Sequence, residues 1–540
     1  LLSNTTGCNN VAMGRLALNA NTEGDENVSI GSCSLRRNTT GTNNTAVGAC
    51  SLMCNTTGGA NTAMGQCALH VNTTGDQNTA VGIGALQDNT TANNNTAVGF
   101  RAMDKNTTGT NNVGIGHDAM RCNTTADFNT AVGVCSMCTN VTGEENTAVG
   151  FKALTTSTVS NNTAFGSQSL RDTTTGADNT AVGRDALKVN TEGGQNVAIG
   201  NCALVTNTTA SNNVAVGEIT LRVNTTGANN TAIGRAALAA NTTGHSNIAV
   251  GTSSLVSNTT GTSNVAIGFE ASRLNTEGTG NVALGYEALE ANTTGGVNVA
   301  VGYRALKVNT TAGNNVAIGY SSLCANTTGA QNVAVGTNAL EASTTAENGV
   351  AVGHRALCAN TTGANNVAVG RNALGDNITG HSNTAVGYYA LKLNNGTDPD
   401  ENTAVGFCAL QANTTGTTNT AIGKDAMKLN TTGVTNVAVG CGALDANTSA
   451  ASNVAVGGNA MGANTTGTKN IGVGANALAA NTTGNNNTAL GFEAAKTSTD
   501  RNDNTAIGFC SLVVNAAVGN TAVGAYSADS NTSATGITAV

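Results

Sequence analysis

Apolar residues recur along this chain with a period that fits neither a helix nor a plain strand. A short segment of Thr or Val, then Ala, then Val or Ile lies between an asparagine and a glycine. Two residues after the glycine comes an Ala-Leu pair, and a polar run rich in Asn, Thr and Gly completes the unit. The unit begins at Asn10, Asn27 and Asn44 and returns every 17 residues to Asn146; it resumes at Asn162, at Asn402 and at Asn520. There are 32 starts, the last at Ile537, and only three intervals depart from 17: 16 before Asn162, 19 before Asn402 and 16 before Asn520. The consensus is Asn-Thr-Ala-Val-Gly-x-x-Ala-Leu-x-x-Asn-Thr-Thr-Gly-x-x, numbered here as positions 1 to 17.

Seventeen residues are too few for a helical repeat, whose units start near 33 residues, and so much Asn, Thr and Gly disfavours helix on propensity. Short β segments punctuated by glycine fit better. The expected fold is therefore all-β: a parallel β-solenoid (β-roll or β-helix) of about 32 coils of 17 residues, stacked about 4.8 Å apart into a rod roughly 150 Å long. Residues 1–540 read as one continuous array. The chain starts at position 9 and stops at position 4, so both ends are expected to be uncapped, as in a slice of a longer fibre or a subunit that stacks end to end.

Each column of the repeat carries its own expectation. Position 5 is glycine in every complete copy, Gly48, Gly234 and Gly440 among them, which points to positive φ or very close backbone approach. Strand alternation suggests that positions 2 and 4 face inward to meet Leu at position 9. The small residues at positions 3 and 8 would then face another chain. Asparagine at positions 1 and 12 suggests stacked amide ladders. All three length changes fall after position 9, so positions 10–17 are expected to form the outward, irregular corner. Pro399 would sit in an exposed bulge there, with Val405 and Leu410 buried.

The runs Asn-Thr-Ala-Val-Gly-x-x-Ala-Leu, with Gly285-Tyr286-Glu287-Ala288-Leu289 and Gly302-Tyr303-Arg304-Ala305-Leu306 as variants, resemble the head repeats of YadA-type trimeric autotransporter adhesins. They also resemble the Gly-Tyr-x-Ala-Leu repeats of tail-fibre-like surface proteins. The resemblance extends over essentially the whole chain and implies a left-handed parallel β-roll that trimerises. This chain departs from it in unit length, its repeat being longer, and residues 1–540 show no pattern of the coiled-coil stalk, membrane anchor or chaperone domain that such proteins carry.

Composition narrows the function classes. The 540 residues include 68 glycines, one proline and no tryptophan; 10% are charged and the net charge is -8. That excludes collagen and, with 39% apolar residues, disorder. No basic stripe offers a nucleic-acid interface, and no apolar run is long enough to span a membrane. His70, His117, His245, His354 and His381 fall in unrelated coils and form no triad or metal cluster, so no catalytic, cofactor or metal residues are assigned and no enzyme is expected. Asp398, Asp400 and Glu401 read as a bulged loop rather than a metal site.

Two chemistries recur with the repeat. Most of the 14 cysteines lie at positions 6, 7, 10 or 11, and Cys33, Cys50 and Cys67 occupy successive coils. Those three, with Cys122 and Cys138, are disulfide candidates, weighed against thiols that the corner merely tolerates. Asn38, Asn55, Asn72, Asn106, Asn224, Asn309 and Asn430 open Asn-x-Thr sequons at position 12, weighed against simple turn chemistry. The functional expectation is an extracellular or cell-surface structural fibre or filament subunit, an appendage or fibre shaft with an adhesive role. Its partners would be copies of itself, joined end to end or laterally, and an unidentified host or surface ligand. An ice-binding solenoid is the alternative.

Overall fold

The structure is a computed structural model that describes residues 2–396 and 400–540. It is all-β, with no helix among the described residues, and its parallel strands build a β-solenoid with one turn per repeat. The chain divides into two compact units, Leu1–Asn264 and Val265–Val540.

In the first unit every repeat gives one three-residue strand at positions 2–4, from β1 (Val11–Met13) to β15 (Ile248–Val250). Each pairs in parallel with the next and in register with the repeat: Thr45 faces Val28 and Thr62, while Ala46 faces Ser29 and Ala63. The second unit follows the same rule from β16 (Val265–Ile267) to β30 (Thr505–Ile507). Near its end, β31 (Val514–Asn515), β32 (Thr521–Val523), β33 (Ser530–Asn531) and β34 (Thr538–Ala539) complete the chain. β32 and β34 extend the main sheet, and β31 pairs with β33.

The ladder continues outside the strands. Leu86 and Asp88 donate their backbone N–H groups forward to Ala102 and Asp104 at 3.0 Å, while Gly99 and Arg101 donate backward to Val81 and Ile83 at 2.8 and 2.9 Å. Two turns close each coil: the position 8 N–H reaches the position 5 carbonyl, and the position 12 N–H the position 9 carbonyl, as in Ala85 to Gly82 and Asn89 to Leu86. Position 5 needs glycine on two counts. Gly48, Gly234 and Gly440 have φ of 133°, 124° and 139°, and a Cβ on any of them would lie 2.4–2.7 Å from the backbone of the next coil's glycine.

The strand faces run opposite to the expectation from alternation. Position 3 is buried in coil after coil, as at Ala46, Ala63, Ala80 and Ala404, and so is position 8, whereas positions 2 and 4 point outward. Leu410 is fully buried as expected, but Val405 is only half-buried on the outer face. The cause is coil width. A 17-residue turn with three-residue strands leaves an interior that Ala, Ala and one Leu fill, with no room for two further β-branched residues.

Asparagine supplies what this thin apolar core lacks. Asn55 Nδ2 donates to Asn38 Oδ1 of the preceding coil and to its own Gly58 carbonyl, both at 2.8 Å. Asn44 donates its backbone N–H and its Nδ2 to Asn27 Oδ1 at 3.0 and 3.1 Å, and its Nδ2 also to Gly58. The position 15 carbonyl is therefore the shared acceptor of both amide ladders. Thr at position 13 adds a third column, Thr39 Oγ1 donating to the Thr56 carbonyl at 3.0 Å.

Positions 10–17 are therefore not simply an irregular outer corner, since positions 12 and 15 are buried within them. The length changes do fall there, and each irregular coil still offers an acceptor to a ladder amide. In the first 16-residue coil the Val159 carbonyl takes the amide of Asn146; in the second the Ala517 carbonyl takes that of Asn515. In the 19-residue coil the buried Asp400 carboxylate accepts from Asn383 at 3.1 Å and Asn394 at 2.7 Å. Pro399 and Asp398 lie outside the described residues.

Candidate functional site

Because positions 2 and 4 point outward, each unit carries a sheet face two side chains wide. Its columns are Thr or Val at position 2 and Val, Ile, Leu, Met or Phe at position 4. The larger position 4 residues are well exposed: Phe165 at 55%, Leu490 at 47% and Leu284 at 43%. Isolated surface apolar residues are ordinary, but a continuous file of them is not.

A second column flanks this face at position 6, which holds ten of the chain's fourteen aromatic residues. Where successive coils carry them, the rings stack. Phe269, Tyr286, Tyr303 and Tyr320 form a run with centroids 5.3, 5.1 and 5.3 Å apart and planes within 14°. Beside it, Arg304 Nε and Lys307 Nζ meet Glu287 at 2.9 and 2.5 Å, and Arg273 meets Glu290 at 2.9 Å. Burial alone would raise the Glu287 carboxyl; hydrogen bonds from Lys307, Tyr286 and Arg304 hold it below its ordinary range. The 17-residue recurrence of aromatics was a legible signal for this column. The consensus, which leaves position 6 as x, missed it.

The sequon asparagines are ladder members. Asn38, Asn55, Asn72, Asn106, Asn224, Asn309 and Asn430 are completely buried, and each Nδ2 donates to the preceding coil's amide oxygen at 2.7–3.0 Å. The nitrogen a glycan would occupy is closed to solvent, so these residues are not glycan acceptors in the folded chain. Turn and ladder chemistry accounts for the pattern.

The fourteen cysteines are free thiols, Cys33, Cys50, Cys67, Cys122 and Cys138 included. Position 7 sets Cys33, Cys50 and Cys67 side by side with φ of 60°, 57° and 55°. In an in-register stack the Cβ atoms are separated by the coil spacing of about 4.8 Å, longer than the 3.5–4.5 Å a disulfide uses. Burial pushes the Cys50 thiol up, with the neighbouring Cys67 and Cys33 acting the same way. Burial, followed by Cys135, pushes Cys138 up to about 11.

The histidines stay apart. His117 stacks on Phe100 at 5.1 Å and lies 3.2 Å from Asp118, and His70 Nδ1 lies 3.1 Å from the Cys50 carbonyl. Among the described residues no group of three or more His, Cys, Asp or Glu could hold a metal ion, and no helix is long and apolar enough to cross a membrane. No protein-family model matches the chain, and no curated protein matches it.

Proposed function

We propose that this chain is an extracellular structural fibre element whose outward strand face packs laterally on other copies of itself. The observation that carries the reading is the uninterrupted apolar file at position 4, running beside a Thr or Val column at position 2. Fifteen strands in the first unit, each about 10 Å long and about 4.8 Å from the next, present roughly 700 Å². A standard protein–protein interface uses about 800 Å² per partner. A periodic face is also complementary to a shifted copy of itself, so one contact geometry serves along the whole unit. Adhesion would follow from repetition, many weak identical contacts summing to avidity. The reading assigns no catalysis.

Sedimentation velocity and electron microscopy of the purified chain test it. The expected result is multimers or filaments that revert to monomers in the triple variant Val81→Glu, Val98→Glu, Val132→Glu, which charges position 4 in the first unit. A monomer at every concentration, in chain and variant alike, would overturn the reading. A second reading is favoured by one feature: in β3 (Thr45–Val47) to β6 (Thr96–Val98) the outward columns form a regular Thr and aliphatic array, as a flat ice-binding surface requires. Strong inhibition of ice recrystallisation by the monomer would establish that reading instead.

A further inference from the structure

Positions 6 to 11 carry each coil from the edge of the outward strand face through its turn, and at one place three successive coils build a polar pocket there. It measures about 270 Å³ and is lined by His354, Arg355, Arg371, Asn372, Asp376, Tyr389 and Lys392. Position 7 contributes Arg355, Asn372 and Tyr389, all with left-handed φ of 56°, 53° and 56°, which send their side chains out on one side. Their backbones are locked by the ladder, Asn372 N–H to the His354 carbonyl at 3.0 Å and Tyr389 N–H to the Arg371 carbonyl at 3.1 Å. Position 10 of the middle coil is Gly375, so no side chain fills the notch between Cys358 and Lys392.

Several cations elsewhere in the chain are neutralised by carboxylates. Arg304, Lys307 and Arg273 close onto Glu287 and Glu290, Lys105 onto Asp88 and Arg171 onto Asp172. Around the pocket, neither Arg355 nor Arg371 is in an ion pair among the described residues, and the only carboxylate in its lining, Asp376, meets Lys392 at 3.8 Å. Three cations against one carboxylate leave an excess of two positive charges in a chain whose net charge is -8. The Tyr389 phenol responds to it: the Tyr388 hydrogen bond lowers it most, and Arg371 and Lys392 lower it further.

We propose that this pocket binds an oxyanion, a carboxylate or sulfate carried on a saccharide. Two guanidiniums supply fork-shaped donors that match such groups in pairs. Lys392 adds a third cation, and Asn372, Asp376 and Tyr389 offer the neutral and acidic partners that sugar hydroxyls need. The pocket suits one acidic sugar ring rather than a polymer groove. It gives the chain a discrete ligand site, separate from the repeated strand face and independent of lateral packing.

Titration calorimetry at low ionic strength tests the site with three probes: inorganic sulfate, glucuronate and a chondroitin sulfate hexasaccharide. The expected result is binding of the hexasaccharide that weakens with added salt. Affinity should fall about tenfold or more in the double variant Arg355→Gln, Arg371→Gln, which loses two charge-assisted contacts. Positions 6 and 7 hold many residue types along the chain, and an unchanged circular dichroism spectrum will show that the variant is folded. The control is Arg36→Gln, Arg37→Gln, which removes two exposed arginines that line no such pocket and should leave affinity unchanged. Sulfate binding as tightly as the hexasaccharide would support the oxyanion site and assign it to free anions. No binding of any probe, or an equal loss in the control, would overturn the proposal.

Discussion

Removing one rung of the amide ladder offers the sharpest test of what holds a coil together. Asn106 is fully buried in the first unit. Its Nδ2 donates to Asn89 Oδ1 at 3.0 Å and to the Gly109 carbonyl at 2.9 Å, and its Oδ1 accepts from Asn123 Nδ2 at 2.8 Å. In Asn106→Ala, Gly109 keeps its bond from Asn95 and Asn123 keeps its bond to Ala126. Asn89 Oδ1 keeps nothing and remains buried. Three lost bonds at about 1 kcal/mol each and one stranded acceptor at about 1–3 kcal/mol give a cost of about 4–6 kcal/mol. A water entering the gap would bring the cost toward the lower figure.

Solenoids unfold through nearest-neighbour units, so a local readout is preferable to a melting curve alone. The Thr90 and Thr107 amides donate to the Thr107 and Thr124 carbonyls on either side of the altered coil. Their hydrogen-exchange protection should fall by a factor of about 1000 or more, the equivalent of about 4 kcal/mol. The milder Asn106→Ser should sit between parent and alanine variant, because position 12 already accepts serine. Ser157 reaches the Val159 carbonyl at 3.2 Å, whereas Ser343 and Ser498 leave their hydroxyls without a partner. Parental protection at Thr90 and Thr107 in the alanine variant would show that the ladder contributes no net stability.

Gly234→Val should disrupt its coil by about 2–4 kcal/mol, through strain at φ of 124° and a Cβ placed 2.7 Å from Gly251; parental urea unfolding would contradict this. Leu204→Val should cost about 2–3 kcal/mol, one buried methylene plus a β-branched residue at φ of 50°, while Leu204→Met should cost less than about 1.5 kcal/mol; equal unfolding midpoints for the two would refute the argument. Cys138, raised from the usual 9.0 to about 11, should stay a thiol when folded, and its reprotonation advantage over the unfolded chain should be lost as pH rises from 9 toward 11. Its iodoacetamide labelling, followed by mass spectrometry, should be slower folded than in urea at pH 8 and should climb steeply toward pH 11; equal rates at pH 8 would contradict the burial.

The fold was legible because the period is strict and the glycine column admits no exception among complete copies. The two asparagine ladders were legible for the same reason: buried amides that must bond to their own kind leave a column of identical residues. The direction of the strand faces was not. Val and Ile at position 4 are larger than Ala at position 3, and size argues for burying the larger residue. Alternation says only that the two point to opposite sides, and the narrow coil then selects the smaller one for the interior. The disulfide and sequon patterns were left open by the sequence, because spacing along the chain carries no information on whether Asn38 Nδ2 or Cys50 Sγ is free to react.

The position 9 column shows how such a coil trades backbone strain against burial. Leu35, Leu86 and Leu204 sit at φ of 44°, 50° and 50°, a region that costs an L-residue roughly 1–2 kcal/mol. Glycine would remove that strain and also the only large apolar group in the coil, whose burial contributes about 1.5–3 kcal/mol. Leucine is thus the better compromise, with Met103, Met120 and Met137 as its commonest replacements. Valine, isoleucine and threonine, abundant at positions 2 and 4, never appear at position 9, where a branched Cβ would meet the left-handed backbone. Hydrophobicity scales rank Leu, Ile and Val together. Their separation into an inward column and an outward one follows from left-handed φ combined with full burial, since the branched residues that do take such φ, Ile219, Val297, Thr418 and Thr435, lie outside the interior, and this separation leaves the branched residues on the surface where another molecule can cover them.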